Sequence, residues 1–146
     1  MASCTFFGHR DCPESIRASL IKEIERLICD QQVESFYVGT QGSFDRMAYS
    51  ALKKLCNKYS NIKVYRVLAY MPRNDAVSRD NTEGEDTILP EGIERVHPRY
   101  AIVWRNNWMI DHSEYVIAYI THPTGGAYRA VERAKKKGRP VILIEY

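Results

Sequence analysis

A chain of 146 residues, 45% apolar and 27% charged, has the composition of one ordinary globular domain, and a single domain over residues 1–146 is expected. Lys and Arg number 21 against 18 Asp and Glu, a net charge of +3 that excludes an acidic disordered chain and is too small an excess to argue for nucleic acid by itself. The N-terminus lacks the basic and apolar regions of a secretory signal, no apolar run approaches the ~18 residues of a membrane span, and Cys4, Cys12, Cys29 and Cys56 form no C-x-x-C, so reduced thiols in the cytoplasm are expected.

Strands and helices alternate along the chain. Ser3 to Phe7 is a short apolar run stopped by Gly8. Asp11-Cys12-Pro13-Glu14 reads as a helix start, with Asp as N-cap and Pro in the first turn. Behind it Ile16, Leu20, Ile24, Leu27 and Ile28 recur at helical spacing. Phe36-Tyr37-Val38 predicts a second strand, and Phe44, Met47, Ala48, Ala51, Leu52 and Leu55 a second amphipathic helix. Val64 to Tyr70 predicts the third strand. Met71 to Pro98 breaks the rhythm and reads as a long irregular loop with an exposed acidic cluster, Asp80, Glu83, Glu85 and Asp86. A helix from about Arg99 to His112, a strand at Tyr115 to Ile120, a helix through about Lys137 and a strand at Val141 to Ile144 complete the chain. The pattern predicts an α/β fold: a three-layer, doubly wound, mostly parallel sheet of about five strands. Ligands of such sheets bind outside the carboxyl ends of the strands, where the strand order reverses.

Three turns at those ends carry candidate chemistry. After the first strand come Gly8, His9 and Arg10, a tight turn with donors suited to an anion, although a lone arginine there is as readily a solvated charge. After the second come Gly39, Thr40, Gln41 and Gly42, then Ser43 and Asp45. Free backbone N–H groups at a helix start favour an anion, while Ser43 or Asp45 as a simple cap, or Asp45 as a ribose-hydroxyl acceptor, fits equally. After the fourth come Thr124, Gly125, Gly126 and Tyr128, for which phosphate capture and ordinary turn chemistry are evenly matched. Arg105 adds a fourth element, on one helical face with Met109 and His112.

Taken together, Cys4 to Arg10, Tyr37-Val38-Gly39 with Gly42 and Asp45, Trp104 to Met109 and Thr124-Gly125-Gly126 make the chain resemble the SLOG superfamily. This Rossmann-like group includes the LOG cytokinin-activating phosphoribohydrolases and the DprA/Smf proteins, and the match is closest to small bacterial and phage members whose first strand runs into G-H-R. The resemblance covers nearly the whole chain. It implies a nucleotide-derived ligand at the strand ends and a homo-oligomer, a dimer or higher. The LOG enzymes carry R-K-x-x-M and P-G-G-x-G-T-x-E-E. Here Arg105 and Met109 match the first, with Asn106 for its Lys. In the second Gly125, Gly126 and Glu132 match, with Thr124, Tyr128, Arg129 and Val131 in place of Pro, the third Gly, Thr and the first Glu. The departures fall on the catalytic motif.

The leading expectation is therefore a module that binds a nucleotide, an ADP-ribose-like molecule or a cyclic nucleotide signal, as a sensor or as a sequestering protein in phage–host conflict. His9, Arg10 and Arg105 would meet phosphate, and Tyr128 or Trp104 a base. The alternative is an N-glycosidic-bond hydrolase or transferase, LOG-like or deoxyribosyltransferase-like, with Glu132, Arg105 and Asp45 as candidate catalytic residues. Glu132 is more simply a helix residue paired with Arg129, Arg133 or Lys136. A nucleic-acid-binding protein, suggested by the DprA resemblance and by Arg133, Lys135, Lys136, Lys137 and Arg139, is the second alternative and is set aside as the least favoured, because a basic run at a helix C-terminus more often complements the helix dipole. No cofactor and no metal is expected: His9, His97, His112 and His122 show no ligand spacing.

Overall fold

Ser3 to Phe7 is buried throughout, because strand β1 (Ala2–Gly8) runs through the middle of a sheet with helices on both faces. The computed structural model describes residues 2–70 and 86–145. In chain order there follow α1 (Arg17–Asp30), β2 (Val33–Val38), α2 (Gly42–Lys58), β3 (Lys63–Val67), β4 (Thr87–Ile88), α3 (Ala101–Asp111), β5 (Tyr115–Tyr119), α4 (Gly125–Lys136) and β6 (Val141–Leu143).

The strands form one parallel six-stranded sheet in the order β4-β3-β2-β1-β5-β6. The doubly wound fold read from the sequence is present, with six strands rather than five. The extra one, β4, is a two-residue strand inside the stretch expected to be irregular, and it pairs Thr87 with Arg66 and Ile88 with Val67. Residues 71–85 of that stretch, Asp80, Glu83 and Glu85 with them, lie outside the described residues. Asp86 is not a free loop acid, for it accepts from Tyr49 Oη at 3.0 Å and Lys53 Nζ at 3.3 Å.

Helix starts depart from the expected ones. Asp11 does not cap α1: a 3-10 turn over Glu14–Ile16 follows Pro13, and neither start has a side-chain cap. The helix expected from Arg99 begins at Ala101 behind a 3-10 turn, Pro98–Tyr100, where His97 Nδ1 accepts from the Arg99 N–H at 3.1 Å.

Alternation along the strands divides the core. Phe6, Phe36, Val38 and Ile117 pack with Leu20, Ile24 and Leu52 of α1 and α2. Phe7, Val116 and Ala118 pack with Met109, Ile110, Ala130 and Val131 of α3 and α4. Each large side chain so enclosed contributes roughly 1.5–3 kcal/mol relative to an exposed one. No helix among the described residues is long and apolar enough to cross a membrane.

The strand order reverses between β1 and β5. Because they are in register, with Gly8 opposite Tyr119, the turns that leave them start side by side. That shared starting point builds the cleft.

Candidate functional site

A cavity of about 700 Å³ opens at this reversal, within the ~300–1,000 Å³ typical of small-ligand pockets. Gly8, His9, Arg10 and Asp11 after β1 form one wall, Thr121, His122 and the Gly125–Arg129 turn another. Gln41 and Asp45 come from the start of α2, and Ile102, Val103, Arg105, Asn106 and Met109 from α3. The structure thus brings together Gly8, His9, Arg10, Gln41, Asp45, Arg105, Gly125 and Gly126. Thr40, Gly42, Thr124, Tyr128 and Glu132 are not among the lining residues.

The turn after β2 is occupied by the protein itself. Ser43 N–H donates to the Arg10 carbonyl at 2.8 Å, and the Ser43 hydroxyl donates to that same oxygen while accepting from the Cys12 N–H at 2.9 Å. Gly42 sits at φ +92°, and a Cβ there would stand 2.8 Å from Arg10 Cα. The Gln41 N–H donates to Asp45 Oδ2 at 2.9 Å. Gln41 is the N-cap residue of α2, so Asp45 holds the N-cap backbone from within the helix, and neither Ser43 nor Asp45 is a side-chain cap. Burial pushes the Asp45 carboxyl up to about 6, against the pull of that N–H and of the nearby Arg105.

Arg105 is likewise committed. It is buried, with Nη1 donating to the Val67 carbonyl and Nε to Asn106 Oδ1, each at 2.9 Å. Burial lowers its pKa, opposed by Asp45. A Cβ at Gly39 would stand 2.8 Å from Asp45 Oδ2 and 3.1 Å from Arg105 Nη1, so this glycine is needed to let the acid–base pair lie against the backbone. Both functional candidates therefore have structural partners.

The turn before α4 is different. Thr124 stands at the N-cap position but makes no cap bond, its hydroxyl lying instead 2.7 Å from His122 Nδ1. A Cβ built on Gly125 or Gly126 would meet nothing within 4 Å. Backbone N–H groups at an uncapped helix start carry partial positive charge into the cavity. Beside them the imidazoles of His9 and His122 stack with centroids 3.8 Å apart and planes 9° from parallel. His9 Nε2 is enclosed without a hydrogen-bond partner, and burial first, then repulsion from His122, lowers its pKa. Arg10 and Arg129 add cationic charge at the exposed rim.

Glu132 does not line this cavity and pairs with Lys135 at 3.4 Å, which leaves Asp45 and Asp11 as the lining carboxylates among the described residues. Among the strand-end aromatics, Phe44 is fully buried and overlies Gly8, where a Cβ would be 2.3 Å from the ring. Trp108 packs edge-on against Tyr37 and stacks on His112, whereas Tyr70 and Trp104 remain exposed. Sequence reasoning passed over His122, Asp11 and Arg129 as site residues. Arg129 had a usable signal, lying one helical turn beyond Gly125 and Gly126. The pairing of His9 with His122 depended on the register of β1 against β5, which local sequence does not encode.

No family model matches this sequence, and no curated protein matches it. Its fold is that of DNA processing protein A, DprA. The Streptococcus pneumoniae protein superposes with a TM-score of 0.70 at 18% identity, over 98% of this chain and 50% of that one. The Helicobacter pylori protein gives 0.65 at 12% identity, over 97% of this chain and 64% of that one. The chain therefore spans between half and two thirds of these proteins. The SLOG resemblance, within which DprA falls, holds at the level of the fold. One expectation is corrected here. Nucleic acid was set aside as a partner, yet the Helicobacter pylori protein has a single-stranded DNA binding mode on a matching fold. The helix-dipole reading of the basic run was weak ground for that ranking, since phosphate contacts depend on where the cations stand.

Proposed function

We propose that this chain binds single-stranded nucleic acid and seats one of its nucleotides in the cavity between the β1 and β5 turns. The observation that carries the reading is the uncapped α4 start, where Gly125 and Gly126 leave open space beside the stacked His9 and His122. A phosphate there receives backbone N–H groups and helix-dipole charge, and Arg10 and Arg129 neutralise it from the rim. The DprA fold supports a nucleic-acid partner over the other phosphate sources. Four unpaired thiols suit a reducing cytoplasm.

A free nucleotide-derived molecule is the second reading, favoured by a cavity volume that suits a mononucleotide. Fluorescence anisotropy with labelled oligothymidylate at low salt tests the first. Saturable binding that weakens linearly in log–log salt is expected. Absence of saturable binding to the oligonucleotide overturns it. Thermal stabilisation by nucleoside monophosphates in that case would transfer the site to the second reading.

A further inference from the structure

Helix α4 carries its cations in two groups. Lys135 pairs with Glu132, and Lys137, just past the helix, pairs with Asp111. The side chains of Arg129, Arg133 and Lys136 have neither an ion pair nor a hydrogen bond among the described residues. They recur at i, i+4 and i+7, so they follow one another along one side of the helix. Arg133 is the unusual member. It is half-buried, and its Nε is enclosed without a partner. Desolvation and the neighbouring Arg129 both lower its pKa. A cation held in that state costs stability, and an isolated surface arginine would simply turn to water.

Among the described residues no acid pairs with this stripe. Helix α3, which packs against α4, reads AIVWRNNWMI before its only acid, Asp111, already taken by Lys137. On α4 itself the one acid, Glu132, is held by Lys135. The stripe also starts at the proposed site, since Arg129 lines the cavity. At 1.5 Å per residue, Arg129 and Arg133 are separated by about 6 Å along the axis and Lys136 lies about 10 Å from Arg129. The first step is comparable to the distance between neighbouring phosphates of a single strand.

We infer that Arg129, Arg133 and Lys136 form a track for the phosphodiester backbone, along which a single strand leaves the cavity toward the C-terminal end of α4. The inference rests on the nucleic-acid reading above and gives it a direction. The phosphate that meets Arg133 supplies the partner its guanidinium lacks.

Anisotropy with oligothymidylate and with thymidine monophosphate, measured across salt, tests it. Arg133→Gln is expected to weaken oligothymidylate several-fold and to reduce the salt slope by about 0.7, the loss of one single-strand phosphate contact. Monophosphate binding should not change. Lys136→Gln, a change at an exposed residue, should weaken the oligonucleotide in the same sense, and Lys135→Gln, on the other flank, should not. Wild-type binding of the oligonucleotide with an unaltered slope in both Arg133→Gln and Lys136→Gln overturns the track and leaves the cavity reading standing. Failure of the wild type to bind oligothymidylate overturns both. Octaglutamate binding as tightly as the oligonucleotide would reassign the stripe to acidic segments and overturn the track.

Discussion

At the start of α2, the Ser43 N–H and hydroxyl both donate to the Arg10 carbonyl, and the Gln41 N–H is held by Asp45. At the start of α4, Thr124 makes no cap bond, and a Cβ on Gly125 or Gly126 would meet none of the described residues within 4 Å. Both turns are glycine-containing, both follow a strand of the same sheet and both open a helix. The first spends its N–H groups fastening the β1 turn, and the second leaves them to whatever enters the cavity. A glycine turn before a helix is thus a site only where the chain does not answer its donors.

The contrast can be broken most forcefully at Gly42. Gly42→Ala must adopt φ +92° with its methyl 2.8 Å from Arg10 Cα. The left-handed penalty of about 1–2 kcal/mol, with the displaced backbone added, should lower stability by about 2–3 kcal/mol in urea denaturation. Ser43→Ala removes the hydroxyl that links Arg10 and Cys12, and a loss of about 1–2 kcal/mol is expected from the same measurement. A wild-type urea midpoint in both variants would refute the fastening role of this turn.

Gly126→Ala sharpens the other side. Its methyl meets nothing, and alanine is the better helix former, so stability should rise by up to about 1 kcal/mol. Oligothymidylate binding should fall, because the methyl occupies the space left for phosphate. Stabilisation without weaker binding would show that the open turn is not the contact point.

The smallest effect is on pH. His9 is held below its ordinary value of 6.5, so its neutral form contributes stability above that pH that fades as the pH drops below it. Asp45 is raised from 3.8 to about 6, so its contribution is complete below pH 3.8 and is lost as pH rises through about 6. These slopes oppose each other in folding stability. They add in ligand binding, because an anion favours protonation of both groups. Oligothymidylate affinity should therefore rise as pH falls from 8 toward 6. Asp45→Asn should retain the part owed to His9, and His9→Gln the part owed to Asp45. A flat wild-type profile would remove the histidine pair from the phosphate site.

Much of the architecture was legible because buried strands and amphipathic helices announce themselves through apolar spacing. Phe6, Phe36, Leu20 and Leu52 fell where expected. Strand β4 was not legible, since two residues are too few to carry a period. Within the site, residue type told which turns bear polar groups but not which groups were already bonded. Asp45 and Arg105 looked like ligands for ribose and phosphate, and the fold instead sets them beside each other under Gly39. Arg133 looked like part of a solvated basic run, and only its enclosure distinguishes it from Lys135.

The central position of β1 has a consequence for how the chain is made. Its first strand leaves the ribosome with five successive residues that end up buried. One neighbour, β2, follows soon, but the other is β5, where Cys4 lies opposite Tyr115 near the far end of the sequence. Until that segment is synthesised, β1 presents an apolar edge with unpaired N–H and C=O groups, a template for other chains. Closing so long a loop is slow, and nascent-chain aggregation should be governed by the wait for β5 rather than by the stability of the finished sheet.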